Sequence, residues 1–303
     1  MLRAALFLFS VFILAAAPKG EPVQVRIPVW SQESGLEGVR AQMGGASSQV
    51  VSVRGPEDDL VVLLVMDVVS DLASIEPAKQ ALISEIGKLS PNTWVGVLRA
   101  QDGLRVITDP TADRERLEQA IRDLPTTGTA GLLENVELMG RIADSMLTKS
   151  DVRVAVFYVT DSTVHNYRED FTNPVINSSD SGDLSRKFPE RLIQEKIAKI
   201  ESNLAQQQTP LFIVHLDYRN DRMNEAYQIG LKRLAESTGG SAIFCRSRGE
   251  IPGAIGSTLS SIGSHYSVTL LVPENAPQKV DLQLTTERPQ TLSYRTRLTV
   301  KER

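Results

Sequence analysis

The sequence predicts an α/β protein: a doubly wound, mostly parallel sheet with helices on both faces, plus a small accessory antiparallel β module formed by the two flanks. Three observations predict this fold. Apolar runs typical of buried strands alternate with amphipathic helical patterns between residues 60 and 263. A hairpin signal interrupts the alternation once. The stretches that flank this region instead show strand patterns without helices, and the C-terminal one alternates with period two.

The N-terminus is typical of an export signal. Arg3 precedes an apolar stretch from Ala4 to Ala17, and Pro18-Lys19-Gly20 follows it. A basic residue, a short apolar core and small residues at its end indicate a secretory signal peptide, and a membrane span needs roughly 20 apolar residues. We therefore expect cleavage after residue 17, no membrane span afterwards, and a periplasmic or extracellular location. An uncleaved N-terminal anchor is the alternative.

Residues 21–58 are predicted to be a β-rich lead-in to the main domain. Strand patterns cover Val23–Val29 and Ser48–Val53, and glycines punctuate the residues between them. The stretch is too short for a domain of its own.

Residues 59–263 are predicted to form the α/β domain. Its strongest strands are Val61–Met66, Arg153–Thr160 and Leu211–Leu216, and a short one follows at Ala242–Cys245. Trp94–Arg99 and Leu104–Thr108 are predicted to pair as a hairpin across Asp102-Gly103. Helical patterns cover residues 77–89, 112–124, 131–147, 191–207, 224–237 and 251–262. Pro77 is expected in the first turn of its helix, and His215 and Cys245 at buried strand positions.

Residues 264–303 change to strand patterns alone. Alternating residues cover His265–Val272, Val280–Thr285 and Leu292–Val300, with prolines between them. Three strands without helices predict an appended antiparallel sheet, which we expect to pack with the N-terminal strands as one sandwich-like module.

Composition limits the classes of function. The chain has 303 residues, 41% hydrophobic, with a formal net charge of -4 and no long basic run. Nucleic acid is therefore not an expected partner. Cys245 is the only cysteine, which rules out an intramolecular disulfide.

Three loops are predicted to meet at one edge of the central sheet. Asp67 ends the first apolar strand, residues 126–130 precede a helix, and Asp161 follows the second apolar strand. In open α/β sheets, ligands bind beyond the carboxyl ends of parallel strands. Asp67, residues 126–130 and Asp161 are therefore expected to lie close together at a candidate site.

This arrangement resembles the von Willebrand factor type A domain, whose metal-ion-dependent adhesion site is assembled from the same three loops. Asp67 matches the first acid of the family's Asp-x-Ser-x-Ser motif, Thr129 its threonine and Asp161 its last acid. The two serine positions fall on Val69 and Asp71. The resemblance covers roughly residues 60–263, and the strand-rich ending is similar to that of secreted bacterial proteins of this kind, common in Acidobacteria.

The resemblance implies a degenerate site for Mg²⁺ or another divalent cation, held by Asp67, Asp71, Thr129 and Asp161. Such a cation takes about six oxygen ligands, and Val69 supplies none. Without a cation, carboxylates gathered in one pocket repel each other and raise a pKa. The alternative is a scaffold that has lost the ion. In that case Asp67 caps a turn by accepting backbone N–H groups, Thr129 caps its helix, and Asp161 orders the following loop.

The resemblance also implies a non-catalytic protein-binding or adhesion module. It would bind through the top face, meaning the carboxyl edge of the central sheet with its loops, including Asp67, Thr129, Asp161 and residues 162–189. This last segment is long for a loop in a compact domain, and such loops are often functional. Two alternatives remain: an envelope assembly subunit whose C-terminal strands pair with neighbours, and an acid–base hydrolase that uses Asp67, Asp71 and Asp161.

Overall fold

The computed structural model describes residues 23–69, 71–167 and 190–300, and these contain fourteen strands and six helices. The predicted signal peptide and residues 168–189 of the long loop lie outside the described residues. The strands are β1 (Gln24–Ser31), β2 (Arg40–Met43), β3 (Ala46–Ser48), β4 (Val50–Arg54), β5 (Leu60–Asp67), β6 (Thr93–Arg99), β7 (Arg105–Thr111), β8 (Arg153–Thr160), β9 (Leu211–His215), β10 (Ala242–Phe244), β11 (Tyr266–Leu271), β12 (Lys279–Thr285), β13 (Leu292–Tyr294) and β14 (Arg297–Thr299). The helices are α1 (Leu72–Gly87), α2 (Arg114–Arg122), α3 (Leu132–Lys149), α4 (Glu190–Leu204), α5 (Arg222–Ser237) and α6 (Ile251–Ser264). None of these helices is long and apolar enough to cross a membrane.

A six-stranded sheet with the order β10-β9-β8-β5-β6-β7 forms the centre. All of its pairings are parallel except that of β6 with β7. The β6–β7 connection passes through Asp102 and Gly103, which have φ angles of 54° and 101°. A tight hairpin turn of this kind requires positive φ at its central residues. The predicted mostly parallel sheet with one hairpin is confirmed.

Helices cover both faces of the central sheet. Along β5, Leu64 and Met66 pack on the face covered by α1, α2 and α6, whereas Leu63 and Val65 pack on the face covered by α3, α4 and α5. A strand buried on both faces has no polar alternation, which explains the continuous apolar run in the sequence.

The start of α1 differs from the prediction. The helix begins at Leu72, so Pro77 lies inside it and not in its first turn. Asp71 caps the helix by accepting a hydrogen bond from the Ala73 N–H at 3.1 Å. An apolar face that includes Ile75 extends the helix on the N-terminal side of the proline. Capping and burial together outweigh the backbone hydrogen bond that Pro77 cannot make.

The flanks form two four-stranded antiparallel sheets, ordered β13-β1-β11-β4 and β14-β12-β2-β3. They share one apolar core that includes Ile27, Met43, Val268 and Leu282. The accessory β module built from both ends of the chain is therefore confirmed. Residues 292–300, however, were expected as one strand and form two, one in each sheet, and the short strand β2 was not expected.

A buried arginine joins the central sheet to the accessory module. Arg153, at the start of β8, is 1% exposed. Its guanidinium donates to the backbone oxygens of Gly263 and His265 at 2.8 and 2.9 Å, where α6 leads into β11. It also donates to the oxygens of Pro56 and Asp58, in the connection from β4 to β5, at 2.9 and 2.8 Å. The amino edge of the sheet is fastened in this way, while its carboxyl edge carries the candidate site.

Candidate functional site

The loops of the top face are joined to one another by backbone hydrogen bonds. The N–H of Asp102 donates to the oxygen of Thr129 at 3.1 Å, and that of Ala130 donates to Asn166 at 2.9 Å. Further along the edge, the N–H of Tyr218 donates to Cys245 at 2.8 Å. Loops that follow different strands therefore form one connected surface.

Asp67 lies beneath this surface and is fully buried. Its Oδ1 accepts from the Gly131 N–H at 2.8 Å and its Oδ2 from the Leu132 N–H at 3.2 Å. Both donors belong to the start of α3, whose first N–H groups have no partner within the helix. Burial raises the pKa of Asp67 to about 6, although these two hydrogen bonds oppose the rise. Asp67 therefore fastens the N-terminus of α3 to the end of β5.

Asp161 performs the same task for the loop after β5. It is 1% exposed. Its Oδ1 accepts from the Val69 N–H at 2.7 Å and its Oδ2 from the Asp71 N–H at 2.8 Å. The carboxylate that follows β8 thus orders the neighbouring loop, which carries the predicted first motif.

The side chains of Thr129 and Asp71, the other two predicted ligands, form hydrogen bonds with other residues. The Thr129 hydroxyl donates to Oδ1 of Asp102 at 2.7 Å. Thr129 is not the helix cap either, since Gly131 holds that position. The Asp71 carboxylate accepts from the Ser74 hydroxyl at 2.7 Å, which lowers its pKa.

A chain of buried hydroxyl groups continues inward from Asp67. The Thr160 hydroxyl donates to Asp67 at 3.3 Å and lies 2.7 Å from the Ser162 hydroxyl. Ser162 in turn lies 2.9 Å from the hydroxyl of Tyr227, which is 2.7 Å from that of Tyr167. This network joins β8, the loop after it and α5. It was not anticipated, because Tyr227 lies 60 residues or more along the chain from its partners.

The donor atoms do not fit the divalent cation that the resemblance implies. Octahedral coordination requires several oxygens turned toward one point. Here Asp67 and Asp161 turn their oxygens toward backbone N–H groups, and Thr129 turns its hydroxyl toward Asp102. In the described part of the chain, no group of three or more His, Cys, Asp or Glu residues converges as a metal site. That the four predicted residues bind a cation stays a prediction.

The loops after β9 and β10 carry a feature that was not predicted. The guanidinium of Arg246 lies over the ring of Tyr218, 5.1 Å from its centroid. Arg248 approaches Asp71 at 3.9 Å, and Arg219 pairs with Asp217 at 2.8 Å. The rule that ligands bind beyond strand ends applies to every parallel strand. The loops after β9 and β10 are therefore candidates for binding on the same ground as Asp67.

Two predictions about buried residues have clear outcomes. His215 is buried in β9, as expected, with Nε2 2.8 Å from the Ser162 oxygen. Burial lowers its pKa. Cys245 is 1% exposed, also as expected, but it follows β10 and does not lie within the strand.

Comparison with known proteins finds similarity only among solved structures. No protein-family model matches the sequence, and no curated protein matches it. A von Willebrand factor type A protein from Catenulispora acidiphila is 13% identical, with 90% of this chain and 76% of that chain covered and a TM-score of 0.45. The von Willebrand factor domain of the type V pilus tip protein Mfa5 from Porphyromonas gingivalis is 13% identical, with 70% and 96% covered and a TM-score of 0.43. BatB from Bacteroides thetaiotaomicron is 16% identical, with 67% and 98% covered and a TM-score of 0.41.

Proposed function

We propose that this chain is an exported, non-catalytic module that binds a protein partner through its top face. One observation carries the proposal: the buried carboxylates of Asp67 and Asp161 fasten neighbouring loops from beneath by accepting their backbone N–H groups. Loops held in one conformation lose little entropy when a partner binds. A preorganised surface of this kind suits recognition.

Leu72 supplies an apolar contact point on that surface. It is the first residue of α1, next to Asp71, and its side chain is 60% exposed. An exposed apolar side chain on this face can be buried by a partner, since the core of a protein–protein interface is more apolar than its rim.

The same geometry disfavours an acid–base hydrolase. A general acid or base must come within hydrogen-bonding distance of the substrate. Asp67 and Asp161 are 0% and 1% exposed, and their oxygens face backbone donors. Of the three acids considered for that chemistry, Asp71 alone is partly exposed.

The proposed binding does not depend on a cation. Mg²⁺ held by Asp67, Asp71, Thr129 and Asp161 is what the family resemblance implies; the directions of the donor atoms disfavour it, and a titration tests it. Export likewise is proposed from the sequence, because the apolar stretch after Arg3 is typical of a signal peptide.

A pair of matched variants tests the role of the top face. Leu72→Glu and Ile229→Glu each place a charge at an exposed apolar helix position, 60% and 62% exposed respectively, and Ile229 lies in the middle of α5. Neither change removes buried surface, so both variants should fold. The tagged proteins are used to capture partners from an envelope extract of the producing organism, and captured proteins are quantified by mass spectrometry.

We expect the wild type and Ile229→Glu to capture the same protein and Leu72→Glu to lose it by about tenfold or more, since burying an unpaired charge in an interface costs several kcal/mol. Equal capture by all three proteins, or no reproducible capture by any of them, would overturn the proposal.

A further inference from the structure

We propose that the arginine surface, formed by Tyr218, Arg219, Arg246 and Arg248, binds side-chain carboxylates of an acidic protein segment. This inference rests on the proposed function, because it names the class of partner that the top face recognises. The positive charge that attracts the partner comes from guanidinium groups of the chain and requires no metal ion.

Arg246 is the centre of the surface. It is exposed, and its guanidinium lies over the Tyr218 ring at 5.1 Å. Together with Asn220, these two residues line a depression of about 410 Å³. Among the described residues, Arg246 forms no ion pair with a carboxylate, so its fork of N–H donors is available to a partner. Arginine and tyrosine are also the residue types that most often dominate binding energy in protein interfaces.

The backbone beneath the arginine surface is fixed by buried groups. The Gln228 side chain, 3% exposed, accepts from the Arg219 N–H at 2.9 Å and donates to the Arg219 oxygen at 2.7 Å. The Tyr218 N–H donates to Cys245 at 2.8 Å, which ties the loop after β9 to the loop after β10. On the far side, Glu250 accepts from the Arg246 N–H at 2.9 Å. Tyr218 and Arg246 are therefore held next to each other before any partner arrives.

Arg248 extends the surface toward the loops that were predicted to hold a metal. Its guanidinium lies 3.9 Å from the Asp71 carboxylate, and its side chain is 63% exposed. A long, exposed ion pair of this kind contributes little to stability. Arg248 can therefore turn to an incoming carboxylate, with which arginine forms two parallel hydrogen bonds.

The mixture of charges around the arginines disfavours a nucleic acid as the partner. Asp71, Asp217 and Glu250 lie among the arginines, and the chain carries a net charge of -4. A phosphate backbone requires a continuous basic stripe. One carboxylate of a protein partner requires only one guanidinium that is held in position without an ion pair, which Arg246 offers among the described residues, and Arg248 can join it by turning away from Asp71.

The test uses the full chain and a fluorescent oligo-glutamate peptide as the probe, with binding followed by anisotropy at low salt. An oligo-glutamine peptide of the same length and a single-stranded oligo-thymidine are the comparison probes. The variants are Arg246→Glu, Arg246→Lys and Arg141→Glu. Arg141 is an exposed arginine on α3, away from the top face, so its replacement makes the same change in net charge.

We expect the wild type and Arg141→Glu to bind oligo-glutamate alike, and Arg246→Glu to bind at least about tenfold more weakly, because a charge-assisted hydrogen bond is lost and a repulsion is added. Arg246→Lys should fall between them, since lysine keeps the charge but loses the planar fork and the stacking on Tyr218. Oligo-glutamine should not bind.

The inference is overturned if oligo-glutamate does not bind, if Arg246→Glu leaves its affinity unchanged, or if oligo-thymidine binds more tightly through Arg246. These failures are distinct from a failure of the proposed function. Capture that is lost in Leu72→Glu but kept in Arg246→Glu leaves the top face as the binding surface and removes only the arginine surface from it.

Discussion

Asp67 shows how one residue type supports two opposite interpretations. An acid at the end of a buried parallel strand predicts a ligand site, and the sequence alone also allowed a capping role. In the structure its two oxygens accept N–H groups from Gly131 and Leu132 at the start of α3. The choice between the roles depends on where the start of α3 lies, 64 residues along the chain.

The raised pKa of Asp67 predicts a pH dependence of stability with an unusual sign. The pKa is about 6 in the folded chain against an ordinary value of 3.8, so the folded state binds this proton more tightly than the unfolded state. Between pH 4 and 6 the free energy of unfolding contributed by Asp67 therefore falls as pH rises. Relative to Asp67→Asn, the free energy of unfolding of the wild type should fall by up to about 3 kcal/mol as the pH rises across this range. Urea denaturation at each pH measures this difference.

Asp71 is the control for this experiment, because its hydrogen bond with Ser74 lowers its pKa. Its stabilising contribution is present at neutral pH and is lost as pH falls below its ordinary value, so Asp71→Asn should change the profile in the opposite direction. An Asp67→Asn profile parallel to that of the wild type from pH 4 to 6 would show that Asp67 does not titrate as described.

At the scale of single side chains, the sequence predicted which acids lie at the carboxyl edge but not where they point. Thr129 was placed in the correct loop, yet its hydroxyl turns to Asp102. The contact between Tyr218 and Arg246 was not predicted, because neither residue belongs to a motif and the contact joins loops that follow two different strands. Directions of side chains depend on such contacts between distant segments, which local patterns do not contain.

At the scale of elements, α3 is positioned by the close approach of its N-terminus to the end of β6. A Cβ atom added to Gly131 would lie 2.0 Å from the backbone oxygen of Ala100. Only glycine permits this approach, which in turn brings the Gly131 N–H within 2.8 Å of Asp67.

Gly131→Ala should therefore destabilise the protein by about 1–3 kcal/mol, the usual effect of overpacking, because the start of α3 must move away from Asp67. The matched control is Gly253→Ala within α6, where an added Cβ meets no atom within 4 Å. This control should instead stabilise the helix by about 0.5–1 kcal/mol. Denaturant unfolding of both variants measures the difference, and equal effects of the two substitutions would contradict the account of α3.

Element boundaries were less predictable than element types. Each predicted helix has a counterpart, but α1 starts at Leu72 because Asp71 caps it, ahead of the proline expected to mark its start. Residues 292–300 alternate like a single strand and yet divide between two sheets at residues 295 and 296. The division follows from pairing with β12 nearby in the sequence and with β1 near the other end of the described residues, and a local pattern does not contain the second partner.

At the scale of the whole molecule, the alternation of apolar strands and amphipathic helices was sufficient to predict the fold. Strands buried on both faces leave a strong apolar signal, and β5 and β8 carry it over seven and six consecutive residues. The accessory module was predictable because its strands alternate in the usual way. Its attachment through Arg153 was not, since four backbone oxygens from two separate segments, residues 56–58 and 263–265, provide the partners.

The buried acids of the top face hold its loops in place, and their oxygens are not arranged as ligands of a cation. Titration of the full chain with Mn²⁺, followed by electron paramagnetic resonance of the free ion and by calorimetry, tests this arrangement, with Asp161→Asn as the comparison. We predict no stoichiometric binding by the wild type, because Asp67 and Asp161 direct their oxygens to backbone N–H groups and Val69 has none to offer. One equivalent of Mn²⁺ bound by the wild type and lost in Asp161→Asn would contradict this arrangement and establish the divalent-cation site.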